Sequence, residues 1–410
     1  MKALVLGYGR SGKAAEELLK AQGTESVVLA DDERDRIEGE GFDFAVVSPG
    51  IALTHPWVVE AKRRGIPLKS ELQLGCEELK RRGWKLLAVT GSKGKSSVVK
   101  VVADAINLAG MKAVACGNYG IPVCEVAVER DRGSGIGDQK WAVVEVSSFM
   151  METTELPSDT FEAAAILNLQ EDHLDRHGSV EVYHGLKRKL LSFAALNFVN
   201  DGMSSEHRSV GASEHLWTGS YFDNEILAGN AAIAVELMRV AGLDDARIAA
   251  AFRTFKPLPH RMNLVAQIGG VRYIDDSKAT SLAALIAGIK MVSAAPQNLK
   301  TSRPQTILLV AGGLPKGDDP KTALPALTER VKKVYLIGQS AEVFFSAWKG
   351  AVDCEICGTM DRAVERARRE AEKGETVLLS PGTASFDQFQ SYGERGEVFA
   401  RLVKKEGQPK

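Results

Sequence analysis

Trp84-Lys85-Leu86-Leu87-Ala88-Val89-Thr90-Gly91-Ser92-Lys93-Gly94-Lys95-Ser96-Ser97 is an apolar run that breaks at a glycine turn and continues into a helical pattern, Val98 to Leu108. Strand, glycine turn and helix start in that order make a phosphate cradle. Gly91 and Gly94 let successive N–H groups point inward, Lys95 adds a positive charge, and the Ser96 hydroxyl suits Mg²⁺. The spacing is Gly-x-x-Gly-Lys-Ser, with Val89 standing where the commoner loop has its first glycine. The expected ligand is a nucleoside triphosphate held by Gly91, Ser92, Lys93, Gly94, Lys95, Ser96 and Ser97. The motif gives nucleotide binding but not the reaction.

The chain around it has 410 residues, too many for one ordinary core, and about 150 residues per domain suggests two or three. Apolar residues make up 44% and charged residues 26%, the composition of a soluble globular protein. A net charge of −1 offers no long-range attraction for nucleic acid or an acidic membrane, so an anionic ligand must be met by locally placed cations and N–H groups. The opening Met1 to Leu6 is too short for a signal peptide, no run approaches about 18 apolar residues, and the five cysteines are scattered. A cytoplasmic monomer with reduced thiols is expected. Cys354-x-x-Cys357 has the spacing of a redox or metal pair, but no second pair accompanies it, which favours plain thiols.

Outward from the cradle the pattern is α/β throughout, with three units of similar kind. Residues 1–82 alternate short apolar runs (Ala3 to Leu6, Val27 to Leu29, Phe44 to Val47) with helical stretches (Lys13 to Ala21, Trp57 to Arg64). The charged patch Lys80-Arg81-Arg82-Gly83 reads as a linker. Residues 83–256 supply strands at Leu86 to Val89, Ala113 to Cys116, Trp141 to Val146 and Ala163 to Leu169, then helices at Leu227 to Val240 and Asp244 to Phe255. Between Asn197 and Asn224 the periodicity is poor. Pro257-Leu258-Pro259-His260 stops the last helix. Residues 257–410 open with a hairpin, Val265 to Ile274 around Gly269-Gly270, followed by strands at Thr306 to Val310, Lys333 to Ile337 and Thr376 to Leu379. Helices near Ser281 to Met291, Ala341 to Trp348 and Met360 to Glu372 alternate with them in a doubly wound sheet.

Several strand ends carry chemistry. Gly7-Tyr8-Gly9-Arg10-Ser11-Gly12 after the first strand, with Asp31 after the second, is a weak dinucleotide fingerprint. Read alone it proposes an NAD-dependent dehydrogenase, but about 80 residues is half a dinucleotide domain, and a mononucleotide diphosphate fits the space better. Ser48-Pro49-Gly50-Ile51 ends another strand and borders the same crevice or is a plain turn. Glu145-Val146-Ser147-Ser148-Phe149 places a carboxylate at the ligand edge of a parallel sheet, which beside a phosphate loop points to Mg²⁺. Asn168 to Arg176 gathers hard oxygen ligands with His173; His173 and His177 have a zinc-like spacing without a third ligand. In the last unit His260-Arg261, Asp275 to Ser281 and Gly312-Gly313-Leu314-Pro315-Lys316 present cations at strand ends, as the outer phosphates of a nucleotide require.

Taken in order, these strings resemble the Mur ligase family of ATP-dependent amide-forming enzymes over essentially the whole chain. To them the resemblance adds Gly117-Asn118-Tyr119-Gly120 and Ser380-Pro381-Gly382-Thr383-Ala384-Ser385-Phe386-Asp387-Gln388-Phe389. With Tyr392 and Arg395-Gly396, the latter string is similar to the glutamate-adding branch. The resemblance implies an N-terminal Rossmann-like unit (1–82) for the UDP end of the substrate, a central P-loop unit (83–256) for ATP, and a C-terminal Rossmann-like unit (257–410) for the amino acid. UDP-N-acetylmuramoyl-L-alanine, D-glutamate and ATP are the implied substrates. Gly9, Arg10, Ser11, Asp31, Ser48, Pro49, Gly50, Asn118 and Ser147 would face the sugar nucleotide. Ser96 and Glu145 would hold one Mg²⁺ and His173 a second. Lys187, in Tyr183-His184-Gly185-Leu186-Lys187, aligns with the family lysine that carries CO₂ as a carbamate. Asn230, Arg261, Asp276 and Lys278 would contact ATP, while Thr280, Lys316, Ser385, Phe386 and Tyr392 would surround D-glutamate. Lys95, His173, Lys187 and Lys278 would be the catalytic set.

The chain departs from the family pattern at Met150, where glutamine is common, and at Ile226 to Asn230, where only the last asparagine of a His-Asn-x-x-Asn start is kept. Two other classes are compatible with parts of the pattern. One is a folylpolyglutamate synthase-like ligase, which generally lacks the N-terminal UDP unit, and the other is a nucleotide-binding regulator without turnover.

Overall fold

In the computed structural model the described residues are 1–30, 35–128, 139–200, 214–223, 227–293 and 307–405. They form three sheets. The first has the order β2-β1-β3-β4 and is wholly parallel, built from β1 (Lys2–Leu6), β2 (Glu25–Leu29), β3 (Phe44–Val47) and β4 (Leu68–Ser70). The second contains β5 (Lys85–Thr90), β6 (Lys112–Gly117), β7 (Lys140–Glu145), β8 (Phe161–Ile166) and β9 (Ala194–Val199) in the order β6-β7-β5-β8-β9, again parallel. The strand before the glycine loop, β5, therefore lies in the middle, between β7 and β8. The third sheet contains β10 (Asn263–Ile268), β11 (Val271–Asp275), β12 (Ile307–Gly312), β13 (Val331–Ile337), β14 (Asp353–Gly358) and β15 (Thr376–Leu379). Its order is β10-β11-β15-β12-β13-β14, with only β10 antiparallel. By compactness the chain divides into two units, residues 1–222 with 227–255, and residues 223–226 with 256–410. No helix among the described residues is long and apolar enough to cross a membrane.

A strand covered on both faces must be apolar at every position, and β12 shows this. Ile307, Leu309 and Ala311 face one core with Leu285, Leu336 and Trp348. Leu308 and Val310 face another, with Tyr273, Tyr335 and Phe399. In the first unit, one continuous core runs from Leu18 and Leu19 of the helix Arg10–Ala21 through Leu72 and Leu79 to Val123, Val144 and Phe161. The two parallel sheets of that unit are thus packed through shared helices.

The hairpin falls where expected, with Gly269 and Gly270 at φ +60° and +82° between β10 and β11, as a two-residue primed turn requires. Other expectations are corrected. Lys80-Arg81-Arg82 is not a linker: Lys80 and Arg81 close the helix Glu71–Arg81, and Arg81 and Arg82 both donate to the buried Glu78. The expected strand Ala163 to Leu169 ends at Ile166, because the chain leaves the sheet to meet the glycine loop. β4, β14 and the helices Leu324–Arg330 and Tyr392–Lys405 complete elements not read from the pattern. Asp31 and Thr306 lie outside the described residues, as do much of Asn197 to Asn224 and Ile226.

The helix Glu71–Arg81 begins with a carboxyl group that is fully enclosed. Glu71 Oε1 accepts the Cys124 N–H at 2.6 Å, and burial pushes its pKa up to about 7. A carboxyl whose folded pKa lies above the unfolded value stabilises the fold fully below about pH 4.5, and that contribution is lost as pH rises through about 7. Glu71→Gln keeps the acceptor and removes the titration. Denaturant midpoints should show the wild type losing stability between about pH 4.5 and 7 more steeply than the variant, which should be the more stable of the two above pH 7.

Candidate active site

The glycine loop is held open by its neighbours. Asn168 on the loop after β8 accepts the Lys93 N–H through Oδ1 (2.8 Å) and donates from Nδ2 to the Lys93 carbonyl (3.0 Å), while its own carbonyl accepts the Ser92 N–H. The Ser92 hydroxyl bonds the Gln170 carbonyl at 2.9 Å and lies 3.2 Å from the Tyr183 hydroxyl. Gly94, at φ +85°, precedes the helix Lys95–Leu108, and a Cβ there would collide with the Asn230 amide. Asn230 is buried in the first turn of the helix Ala228–Val240, so it shapes the loop whether or not it touches nucleotide. Gly94→Ala should weaken ATP binding about five- to thirtyfold, since left-handed backbone alone costs about 1–2 kcal/mol in a side-chain-bearing residue. Equilibrium titration with ATP would check this.

Two lysines converge on this loop. Lys95 Nζ donates to the Gly91 carbonyl at 2.7 Å, and Lys187 Nζ reaches the same oxygen at 3.0 Å. Lys187 is buried, stands 4.6 Å over the Tyr183 ring, and has its pKa pushed down to about 7 by burial first and by Lys95 second. Its amine is therefore substantially uncharged near neutrality.

Glu145 ends β7 beside the loop and is 2% exposed. Asn118 Nδ2 donates to its Oε1 at 2.7 Å, and Oε2 is buried with no hydrogen-bond partner. A buried carboxylate oxygen left bare at a phosphate loop fits a divalent cation, as does the hydroxyl of Ser96 in the first helical turn. Mg²⁺ keeps waters and phosphate oxygens and needs few protein ligands. No group of three or more His, Cys, Asp or Glu among the described residues is arranged to hold a metal alone.

His173, with φ 53°, is 4.8 Å from the Phe149 ring and 3.8 Å from Asp172, whose carboxylate lies 3.7 Å from Lys93 of the glycine loop. His177 is turned away from it, bonded to Ser148 Oγ at 3.0 Å and facing Glu152 at 3.4 Å, so the two histidines do not form a zinc pair.

Beside this centre runs a crevice of about 680 Å³. Gly7, Gly9, Arg10 and Ser11 line it with Ser48, Pro49, Gly50, Asn118 and Met150. Ser48 Oγ donates to the Gly7 carbonyl at 2.7 Å, and Gly12 packs against that carbonyl, which locks the two loops together. Ser147 instead caps the short helix Ser148–Met151 and is not among the lining residues. The four-stranded sheet is smaller than a dinucleotide domain, which removes the structural basis of the dehydrogenase reading.

In the second compact unit the predicted residues gather at the ends of β11, β12 and β15. Asp276 is buried, accepts from Ser380 Oγ at 3.0 Å and is pushed up to about 7 by burial. Arg261 follows His260, which pairs with Asp275 at 2.7 Å, and its Nε is buried without a bonding partner. Lys278 Nζ lies 5.3 Å over the Tyr392 ring, and Thr280 follows two residues later. A bridge between Leu314 and Ala384 brings the Lys316 loop beside Ser385 and Phe386. Ser385 is buried, while Phe386 is 70% exposed.

Sequence reading did not assign Arg395 a role. It is wholly buried, and its guanidinium donates to the Ser277 hydroxyl and to the carbonyls of Ser277, Thr383 and Ala384 at 2.9–3.2 Å. It ties together the loops that carry Lys278 and Ser385. Cys354 and Cys357, three apart on β14, are both pushed up to about 11 by burial and stay thiols.

A central parallel sheet with a glycine loop after its middle strand, a bare acidic oxygen beside it and a flanking crevice of about 680 Å³ define a nucleotide-binding protein of the P-loop class. Residues 89–203 match the model of the Mur ligase middle domain, and residues 260–382 that of the Mur ligase glutamate ligase domain. The chain is 33% identical to UDP-N-acetylmuramoylalanine--D-glutamate ligase of Acidobacterium capsulatum, covering 98% of this chain and 96% of that one. It is also 33% identical to the enzyme of the same name from Chlamydia abortus, covering 98% and 97%. Among solved structures, UDP-N-acetylmuramate-alanine ligase of Thermotoga maritima superposes with a TM-score of 0.58 at 13% identity, over 99% of this chain and all of that one. The chain belongs to the Mur ligase family and is an ATP-dependent, amide-forming enzyme.

Proposed function

We propose that the chain joins D-glutamate to the carboxylate of UDP-N-acetylmuramoyl-L-alanine through an acyl phosphate, releasing ADP and phosphate in the synthesis of peptidoglycan precursors. Near-full-length likeness to two D-glutamate ligases carries this reading. We assign residues 1–82 to the UDP end, 83–256 to ATP and 257–410 to the amino acid. The protein would work as a cytoplasmic monomer.

The chemistry follows from charge. A carboxylate resists nucleophiles because its negative charge is delocalised; phosphorylated, it gains a good leaving group. Lys95 and the N–H groups of residues 91–97 hold the transferring phosphoryl group, with charge compensation from Lys278 and Arg261. Two Mg²⁺ ions, one held by Ser96 and Glu145 and a second by His173, would supply Lewis-acid stabilisation of the phosphate oxygens. Lys187, as a carbamate, would convert a cation into a two-oxygen ligand; its buried, pKa-lowered amine supports this, since only a free amine adds CO₂. Thr280, Lys316, Ser385, Phe386 and Tyr392 would receive the glutamate. The phosphate loop and these residues belong to different compact units.

Phosphate release tests the reading. It should occur only when ATP, Mg²⁺, UDP-N-acetylmuramoyl-L-alanine and D-glutamate are all present. Release with a folate and glutamate, or without any acceptor, would contradict it.

A further inference from the structure

Arg176 stands where the metal loop and the sugar-nucleotide crevice meet. It lies three residues after His173, on the single-turn helix Leu174–His177. Its Nη2 donates to the Ile51 carbonyl at 2.7 Å and reaches the Pro49 carbonyl at 3.5 Å, more than 120 residues earlier in the chain. The same guanidinium makes a two-pronged pair with Glu152, Nε to Oε1 at 3.0 Å and Nη2 to Oε2 at 2.7 Å, and lies 5.3 Å over the Phe149 ring. The Glu152 and Arg176 side chains are 8% and 18% exposed.

An exposed ion pair with this geometry would contribute little. Here a planar cation is held by a nearly buried carboxylate on one edge and by the carbonyls of a binding loop on the other, so its direction is fixed. Pro49 and Ile51 line the crevice, and Asp172, next to His173, lies 3.7 Å from the Lys93 ammonium of the phosphate loop. A shift of the crevice loop on ligand binding therefore pulls on the segment that carries His173.

We propose that Arg176 is a positioning residue that couples occupancy of the sugar-nucleotide crevice to occupancy of the metal–nucleotide site, each tightening the other. This deepens the ligase reading and rests on its crevice assignment. Coupling of this kind is reciprocal and typically about 5–150-fold in affinity.

The probe is UDP, which fills the crevice end of the substrate but has no muramoyl carboxylate to touch the γ-phosphate, so any coupling must pass through the protein. Calorimetric titration of UDP into the full chain, with and without Mg²⁺ and a non-hydrolysable ATP analogue, gives the ratio of the two Kd values. The wild type should bind UDP at least about fivefold more tightly with the metal–nucleotide present. Arg176→Met, which keeps length and contact with Phe149, should bring the ratio close to one while still binding each ligand alone. Arg176→Lys, a cation without the planar fork, should fall between. Persistence of the wild-type ratio in Arg176→Met, or a ratio of one in the wild type, overturns the proposal and leaves the ligase reading standing. Failure of UDP to bind the wild type at all overturns the crevice assignment and this inference together.

Discussion

Glu145→Gln should lower kcat by about a thousandfold, the scale seen when one preorganised charge-stabilising group is lost from a closed site. The reason is the unpartnered Oε2. The amide can still accept from Asn118, so the fold and the cradle survive, but the group beside the phosphates loses its charge. The concentration of Mg²⁺ for half-maximal activity should rise at least about tenfold. Metal-free binding of ADP should change little. An unchanged Mg²⁺ requirement would show that the bare oxygen faces no cation.

Lys187→Ala should be nearly as damaging, about a hundredfold or more in kcat. The decisive reading is rescue. If Lys187 acts as a carbamate, formate or acetate entering the vacated space should restore part of the rate, because they return the two oxygens. If it acts as an ammonium ion, methylamine should restore activity and the acids should not. The free amine also sets a pH dependence. With its pKa pushed down to about 7, the fraction able to add CO₂ falls as pH drops below 7, so activation by added bicarbonate should be steepest near pH 6 and fade above pH 8.

The parts legible from sequence are those set by local rules. Fully apolar runs such as Leu86 to Val89 and Val377 to Leu379 could only be strands buried on both faces. Gly91 to Ser96 and the Gly269-Gly270 turn carry their backbone requirements in their composition. Short edge elements were missed because β4 has three residues and β14, Asp353–Gly358, breaks its apolar pattern with two acids. Lys80 to Arg82 misled because charge alone does not separate a linker from a helix end, and the buried partner that decides it, Glu78, lies only two to four residues away. Arg176 and Arg395 were illegible as parts of the site for another reason. Their partners include backbone carbonyls more than a hundred residues distant, and no side-chain pattern marks a carbonyl. The pairing of Asn118 with Glu145, across 27 residues, became visible only once β6 and β7 were adjacent.

The central claim is that ATP energises the substrate carboxylate as an acyl phosphate. UDP-N-acetylmuramoyl-L-alanine labelled with ¹⁸O in its terminal carboxylate tests it most directly. The account predicts one ¹⁸O in the inorganic phosphate released for each amide formed with D-glutamate. Amide formation with the departing ¹⁸O appearing in AMP or in water, and none in inorganic phosphate, would contradict it.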